Sequence, residues 1–289
     1  MNWIVEPWTW GAFMWRAALA LLLVSVVCVP AGVFLYLKRL SLMSDAMSHI
    51  VLPGIVIAYL AVGSLSGWVL LPGAAIAGVL ASLLISNLSS RRWVRPDAAM
   101  AIVFTTFFAL GVILLSTQAK NAHIDTDCVL FGNVLGLTDE SLWLLGVSGI
   151  VLSTLLIVFF RWLKISAMDA GFAASLGIPV TALHYGLMSS VSVGTVASFE
   201  AVGAILVISF FIVPAAFGRL LARSLKTHIF VAFVFSILTS LIGLYVSVYL
   251  NTSTAGAIVS VQGAVYFAGV LIDWLRTHFR AQETRVEPT

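Results

Sequence analysis

Apolar residues gather along this chain in nine unbroken runs: Ala17–Leu37, Ala46–Val62, Trp68–Leu88, Ala98–Thr117, Leu142–Phe160, Val180–Ala197, Val202–Leu221, Ile229–Leu250 and Ala255–Trp274. Each is close to the ~20 residues an α-helix needs to cross the hydrocarbon core of a bilayer. Strands of a membrane barrel alternate apolar and polar positions, and these runs do not. In lipid every backbone N–H and C=O must be paired within the protein, so unbroken apolar runs read as helices. The pattern predicts an all-α, polytopic transmembrane helical bundle of about nine spans, with eight and ten as its bounds. The second and sixth runs are short, which leaves a broken or re-entrant helix open at each.

The polar positions between the runs give the chain a sidedness. Lys38 and Arg39 follow the first run, Arg91, Arg92 and Arg95 the third, and Arg161 and Lys164 the fifth. Arg219, Arg223 and Lys226 follow the seventh, and Arg276, Arg280 and Arg285 the ninth. Thirteen of the 15 Lys and Arg residues therefore share one side, and only Arg16 and Lys120 fall on the other. The positive-inside rule places the N-terminus outside and a short C-terminal tail, about 276–289, in the cytoplasm.

Composition agrees. The chain is 61% hydrophobic and 9% charged, against about 25% charged for a soluble domain. A single transmembrane domain over residues 1–289 is expected. The isoelectric point near 9.0 is no nucleic-acid signal, because the basic residues sit in short loops between spans. Cys28 and Cys128 form no CxxC and suggest no disulfide framework. Met1–Thr9 lacks a basic n-region, and Arg16 precedes a run long enough to stay in the bilayer, so no cleavable signal peptide is read.

Against this background Ser41–Gly54, SLMSDAMSHIVLPG, stands out. Asp45 and His49 are four apart, which stacks them on one helix face. An ionisable side chain within a span costs at least a few kcal/mol and needs a partner or a purpose. A carboxylate beside an imidazole is a half-site for a divalent transition metal. The plainer alternative is an Asp that caps the helix at its cytoplasmic end, with His49 paired to it. If the helix leaves the cytoplasmic face near Leu40, His49 lies ~13 Å deep, near the middle of a ~30 Å core. Pro53 and Gly54 can break the backbone ladder beside the pair.

Two loops carry further signals. Gln118–Glu140 contains HIDTDC, with His123, Asp125 and Asp127 at alternate positions. An acidic, imidazole-bearing mouth would concentrate divalent cations; a solvated loop or a surface for an external partner is the alternative. Lys164–Pro179, KISAMDAGFAASLGIP, is too short to span. It places Phe172 and Leu176 at helical spacing, with Gly177 and Pro179 as stop signals. A short cytoplasmic helix with an apolar knob suits a partner's groove; the alternative is an interfacial helix that docks on nothing.

The chain has no GxxxxGK(S/T), no HExxH and no GxSxG, so it neither cradles nucleotide phosphates in the P-loop manner nor carries these hydrolase signatures. A membrane enzyme has no constellation to support it. A proton-driven carrier of metal should need no partner and often carries a second intramembrane acidic or His cluster. Glu200 and Asp273 are the remaining candidates, and Asp273 has Arg276 three residues on.

Four segments resemble a known family. LSLMSDAMSHIVLPGIVIAYL resembles the second-helix signature of membrane permeases of ABC importers for zinc, manganese or ferrous iron. VLFGNVLGLT (129–138) is similar to their external loop. DAGFAASLGIP (169–179) is similar to their coupling loop, with the AxxLG pattern at Ala173, Leu176 and Gly177. EAVGAILVISFFIVPAAFGRLL (200–221) is similar to their late Gly- and Pro-marked helix. The matches run from about Leu40 to Ala268. MDAGF departs from the Phe-Asp start of many relatives, which bears on the edge of the coupling helix. The resemblance implies a permease without enzymatic activity or permanent cofactor. Its second permease subunit is identical or different, two cytoplasmic ABC ATPase subunits drive it, and an extracytoplasmic metal-binding protein delivers cargo. It implies a bacterial inner membrane, Asp45 and His49 as metal contacts, and Phe172–Gly177 as the link to the ATPase. The alternative is a proton-coupled secondary metal transporter.

The basic asymmetry sets a test. Cysteines placed at Arg92 and Thr126, in a background lacking Cys128, should react with a membrane-impermeant thiol reagent from opposite sides. Labelling of both from one side would sink the nine-span arrangement.

Overall fold

The computed structural model describes residues 12–64, 66–89, 91, 93–118 and 137–286. Twelve helices and no strand are present among them. We number them α1 Ala12–Leu37, α2 Ser41–Ile50, α3 Leu52–Val62, α4 Gly67–Ser89, α5 Pro96–Gln118, α6 Asp139–Val158, α7 Phe160–Met168, α8 Ala170–Ser175, α9 Val180–Val202, α10 Ala204–Leu221, α11 Leu225–Leu250 and α12 Thr254–Val286. Eight segments of the described residues are long and apolar enough to cross a membrane, with α2 and α3 together forming one of them. The chain is an all-α, multi-pass membrane protein.

The spans differ from the apolar runs where tertiary contacts supply what the local sequence lacks. The second begins at Ser41, five residues before its apolar run, and is broken at Val51. The sixth expected run lies within α9, a continuous helix of 23 residues. This helix is not among the eight apolar segments, because polar residues such as Ser190, Ser192, Thr195 and Ser198 lower its hydropathy; these four are buried. It packs on α1, α4 and α6 rather than facing lipid, and the Ser192 hydroxyl donates to the Ala74 carbonyl of α4 at 2.8 Å. Hydroxyl bonds of this kind hold helices together where lipid offers no hydrophobic driving force. Residues 198–201, a gap between apolar runs, are helical, and the boundary falls at Gly203, whose φ is +78°. At the other terminus α12 runs on to Val286, so residues 276–286 extend the last span as helix.

α1 is the centre of the bundle. It packs against α6, α9, α10 and α11, and Phe34, Leu35, Cys28 and Val24 on it are fully buried or nearly so. The contact with α10 is close because Gly32 has no side chain: a Cβ there would collide with the Phe211 carbonyl. Gly54 on α3 and Gly73 on α4 meet in the same way, each backbone occupying the space of the other's missing Cβ. Small residues at such crossings let helix backbones approach closely, which is the main source of packing energy in a bilayer. α5 and α12 are the least buried spans.

Polar contacts fix the two ends. Arg16 at the start of α1 pairs with Asp139 at the start of α6 at 2.9 Å. Lys38, just past the other end of α1, donates to the Ser166 hydroxyl of α7 at 3.2 Å. Thr138 caps α6 by accepting from the Ser141 N–H, and Asp139 and Glu140 in its first turn oppose the positive end of the helix dipole.

The Gly54–Gly73 contact predicts a specific sensitivity. Gly54→Ala should destabilise the protein by about 1–3 kcal/mol, the usual effect of overpacking. Gly146→Ala is the control, because a Cβ there meets nothing within 4 Å. Equal thermal stability of the two variants in detergent would refute the close contact.

Candidate functional site

α2 is ten residues long and carries both Asp45 and His49. Its N-cap is Leu40, with no side-chain cap and no acidic residue in the first turn. Asp45 sits in mid-helix, so the helix-capping alternative does not hold. The Asp45 carboxylate and His49 Nε2 lie 4.0 Å apart, with side chains 52% and 33% exposed. The spacing is one helical turn, and both groups are partly exposed.

The imidazole is held by α5. Its ring centroid lies 5.6 Å from that of Phe104 and 5.5 Å from that of Phe108, and these two rings stack on each other at 6.2 Å. Sequence reading missed both phenylalanines. Their four-residue spacing in FTTFFALG was visible, but nothing local assigned that face of α5 to His49. The Ser48 hydroxyl donates to the Asp45 carbonyl, which leaves the carboxylate itself uncommitted apart from His49.

The backbone breaks beside the pair, as Pro53 and Gly54 foretold. Pro53 stands four residues after His49 and has no N–H to give to the His49 carbonyl. α2 ends at Ile50, and α3 restarts with Pro53 in its first turn. Val51 stays in the α region and bridges the two, its N–H reaching the Met47 carbonyl at 3.3 Å and its carbonyl accepting from Ile55 at 3.0 Å. Gly54 also serves the close approach of α4.

Among the described residues no group of three or more His, Cys, Asp or Glu side chains is arranged to hold a metal ion. One copy therefore offers two donors, one oxygen and one nitrogen. His123, Asp125 and Asp127 lie outside the described residues.

The second candidate element is α7–α8. Asp169 is the N-cap of α8, its carboxylate accepting from the Phe172 N–H at 3.0 Å. This fixes the edge of the helix. At the other end the Ile178 N–H bonds to the Ala173 carbonyl at 3.1 Å and the Gly177 N–H to the Ala174 carbonyl at 3.0 Å. Gly177 has φ +76°, the left-handed conformation such a terminus requires. Phe172 and Leu176, one turn apart, are 56% and 55% exposed, whereas Ala173 is fully buried. The expected apolar knob is present, with Ala173 and Gly177 shaping its base.

A profile of the ABC 3 transport family matches residues 11–273. The chain is 41% identical over 262 residues to the zinc transport system membrane protein TroD of Treponema pallidum, covering 87% of this chain and 71% of that protein. It is 38% identical over 262 residues to the manganese transport system membrane protein MntD of Bacillus subtilis, covering 86% and 88%. The structure is similar to a chain of PsaBC from Streptococcus pneumoniae in complex with Fab, with a TM-score of 0.81 and 29% identity over 92% of this chain and 93% of that one.

Proposed function

The chain belongs to the ABC 3 transport family, and from that premise we propose that Asp45 and His49 are half of a transition-metal site shared by two permease subunits. The protein is a membrane permease of an importer for a divalent transition metal: zinc, manganese or ferrous iron. It acts in transport rather than as an enzyme. The metal is its cargo.

The observation that carries the site is the mid-helix Asp45–His49 pair, 4.0 Å apart and partly exposed, with no third His, Cys, Asp or Glu grouped with it among the described residues. A carboxylate and an imidazole suit zinc, manganese and ferrous iron alike. Two donors do not make a four-ligand site, but two copies facing each other would supply four. The partly exposed face of α5 beside His49 suits such an arrangement. The Phe104–Phe108 pair orients the imidazole, so less freedom is lost when metal binds. Family membership favours this reading over a proton-driven carrier.

Around that site the proposed path has an order. An external binding protein delivers metal to the mouth formed by the 118–140 loop, where His123, Asp125 and Asp127 either concentrate the ion or dock the delivering protein. The ion passes Asp45 and His49 and leaves on the side of Lys38, which is cytoplasmic in the orientation set by the basic loops. The membrane is the bacterial inner membrane, with the N-terminus outside. A separate ATPase subunit grips Phe172 and Leu176 and transmits its closure through α7–α8. The 1–289 chain acts as one permease domain, with the 164–179 segment as its coupling element.

Two experiments test the reading. Phe172→Ala combined with Leu176→Ala should leave the melting temperature of the isolated permease unchanged, since both side chains are exposed, and should abolish ATP-driven uptake. Full uptake in the double variant would remove the coupling role. Asp45→Asn keeps shape but loses the charge a divalent metal needs. With ATPase and binding protein present it should lose metal uptake by tenfold or more at normal expression. Wild-type uptake by Asp45→Asn would remove Asp45 from the site.

A further inference from the structure

The ends of α1, α2, α5 and α10 line a solvent-open cavity of about 870 Å³, and its lining residue Ser41 stands one helical turn before Asp45. Its charged lining consists of Lys38, Arg39 and Arg219, with Asp97 as the single carboxylate. Three cations against one anion leave this wall about two charges positive. Neither Arg39 nor Arg219 takes part in the salt bridges seen among the described residues. Arg39 and Arg219 thus line one cavity with Asp97 as the single carboxylate in its lining. Lys38 lines the same wall and bonds to Ser166. Burial pushes the Lys38 ammonium down from its ordinary value, and an anion nearby would oppose that by favouring its charged form.

Arg39 occupies a costly position. The Leu40 N–H bonds to the Leu35 carbonyl at 2.9 Å and the Arg39 N–H to the Tyr36 carbonyl at 3.0 Å, the double closure that ends many helices. Its central residue must be left-handed, and Arg39 has φ +58°. Glycine takes that conformation freely, whereas a residue with a Cβ is strained in it. An arginine here spends conformational energy to put a guanidinium at the cavity. The first turn of α2, with Ser41 and Leu42 in the lining and no side-chain cap, adds the positive end of a helix dipole to the same wall.

We propose that this cavity binds a phosphate-bearing anion held by Arg39, Arg219 and Lys38. Guanidinium groups match phosphate oxygens in pairs. The phosphate is either a free one, such as pyrophosphate, or the headgroup of an acidic phospholipid. If metal leaves past Asp45 as proposed above, the bound anion neutralises a wall that otherwise repels the departing cation. The binding test does not depend on that reading.

The full-length chain in maltoside micelles is titrated by thermal unfolding at constant ionic strength, with pyrophosphate in one arm and phosphatidylglycerol against phosphatidylcholine in the other. A ligand that binds only the folded state raises the melting temperature in a saturable way. A saturable rise with pyrophosphate alone assigns the site to free phosphate, and one with phosphatidylglycerol alone assigns it to the lipid headgroup. Arg39→Gly suits the left-handed backbone, so it should match or exceed the wild-type melting temperature without ligand while its half-saturation rises at least tenfold. Arg219→Gln, away from that strain, should show the same tenfold weakening. No saturable rise in either arm, or unchanged half-saturation in either variant, overturns the proposal.

Discussion

A carboxylate and an imidazole inside an apolar span cost at least a few kcal/mol unless something offsets them. The surroundings of Asp45 and His49 are arranged around that cost. Burial in the core would leave the pair without enough partners, and use as a cap would place Asp45 at a helix start. Neither occurs. α2 sets the pair in mid-helix on a partly exposed face, and α5 supports the imidazole through Phe104 and Phe108. The carboxylate keeps free lone pairs. In the proposed reading, metal and a facing subunit complete what one chain leaves open.

The rest of the bundle makes that exposure tolerable. α1 is clasped on several sides, with Gly32 against the backbone of Phe211. α3, which continues the site-bearing span, is locked to α4 where Gly54 meets Gly73. The break between α2 and α3 is therefore braced immediately beyond it, and Pro53 can withhold its N–H without loosening the span. At membrane depth backbone groups must be paired within the protein, and Val51, fully buried, keeps both its N–H and its carbonyl hydrogen-bonded across the break.

The α7–α8 segment follows a different logic. Its six-residue helix is closed by its own ends, with Asp169 at the start and the Gly177 turn at the finish. It anchors to the bundle through the buried Ala173 and adjoins the Lys38–Ser166 contact. A helix that stabilises itself can carry Phe172 and Leu176 outward without packing them, which is what a docking knob needs.

Hydropathy and local signals were enough to read the all-α membrane class, the approximate spans, the Asp45–His49 spacing, the Pro53 break and the exposed Phe172–Leu176 pair. These depend on residues within a turn or two of one another, where the 3.6-residue period and the cost of polar groups in lipid act directly. Other features depended on contacts between distant parts of the chain. α9 is rich in serine and threonine yet lies inside the bundle, packed on α1, α4 and α6, with Ser192 bonded to the Ala74 carbonyl of α4. Helix α2 starts five residues before its apolar run. The phenylalanines that hold His49 come from a helix more than fifty residues away, and Arg39 shares a cavity with Arg219 only because α1 and α10 cross at Gly32. Composition along one helix can say which groups are costly. Which of them are paired, buried or left facing a partner is decided by helix crossings, whose geometry is set by many weak contacts at once.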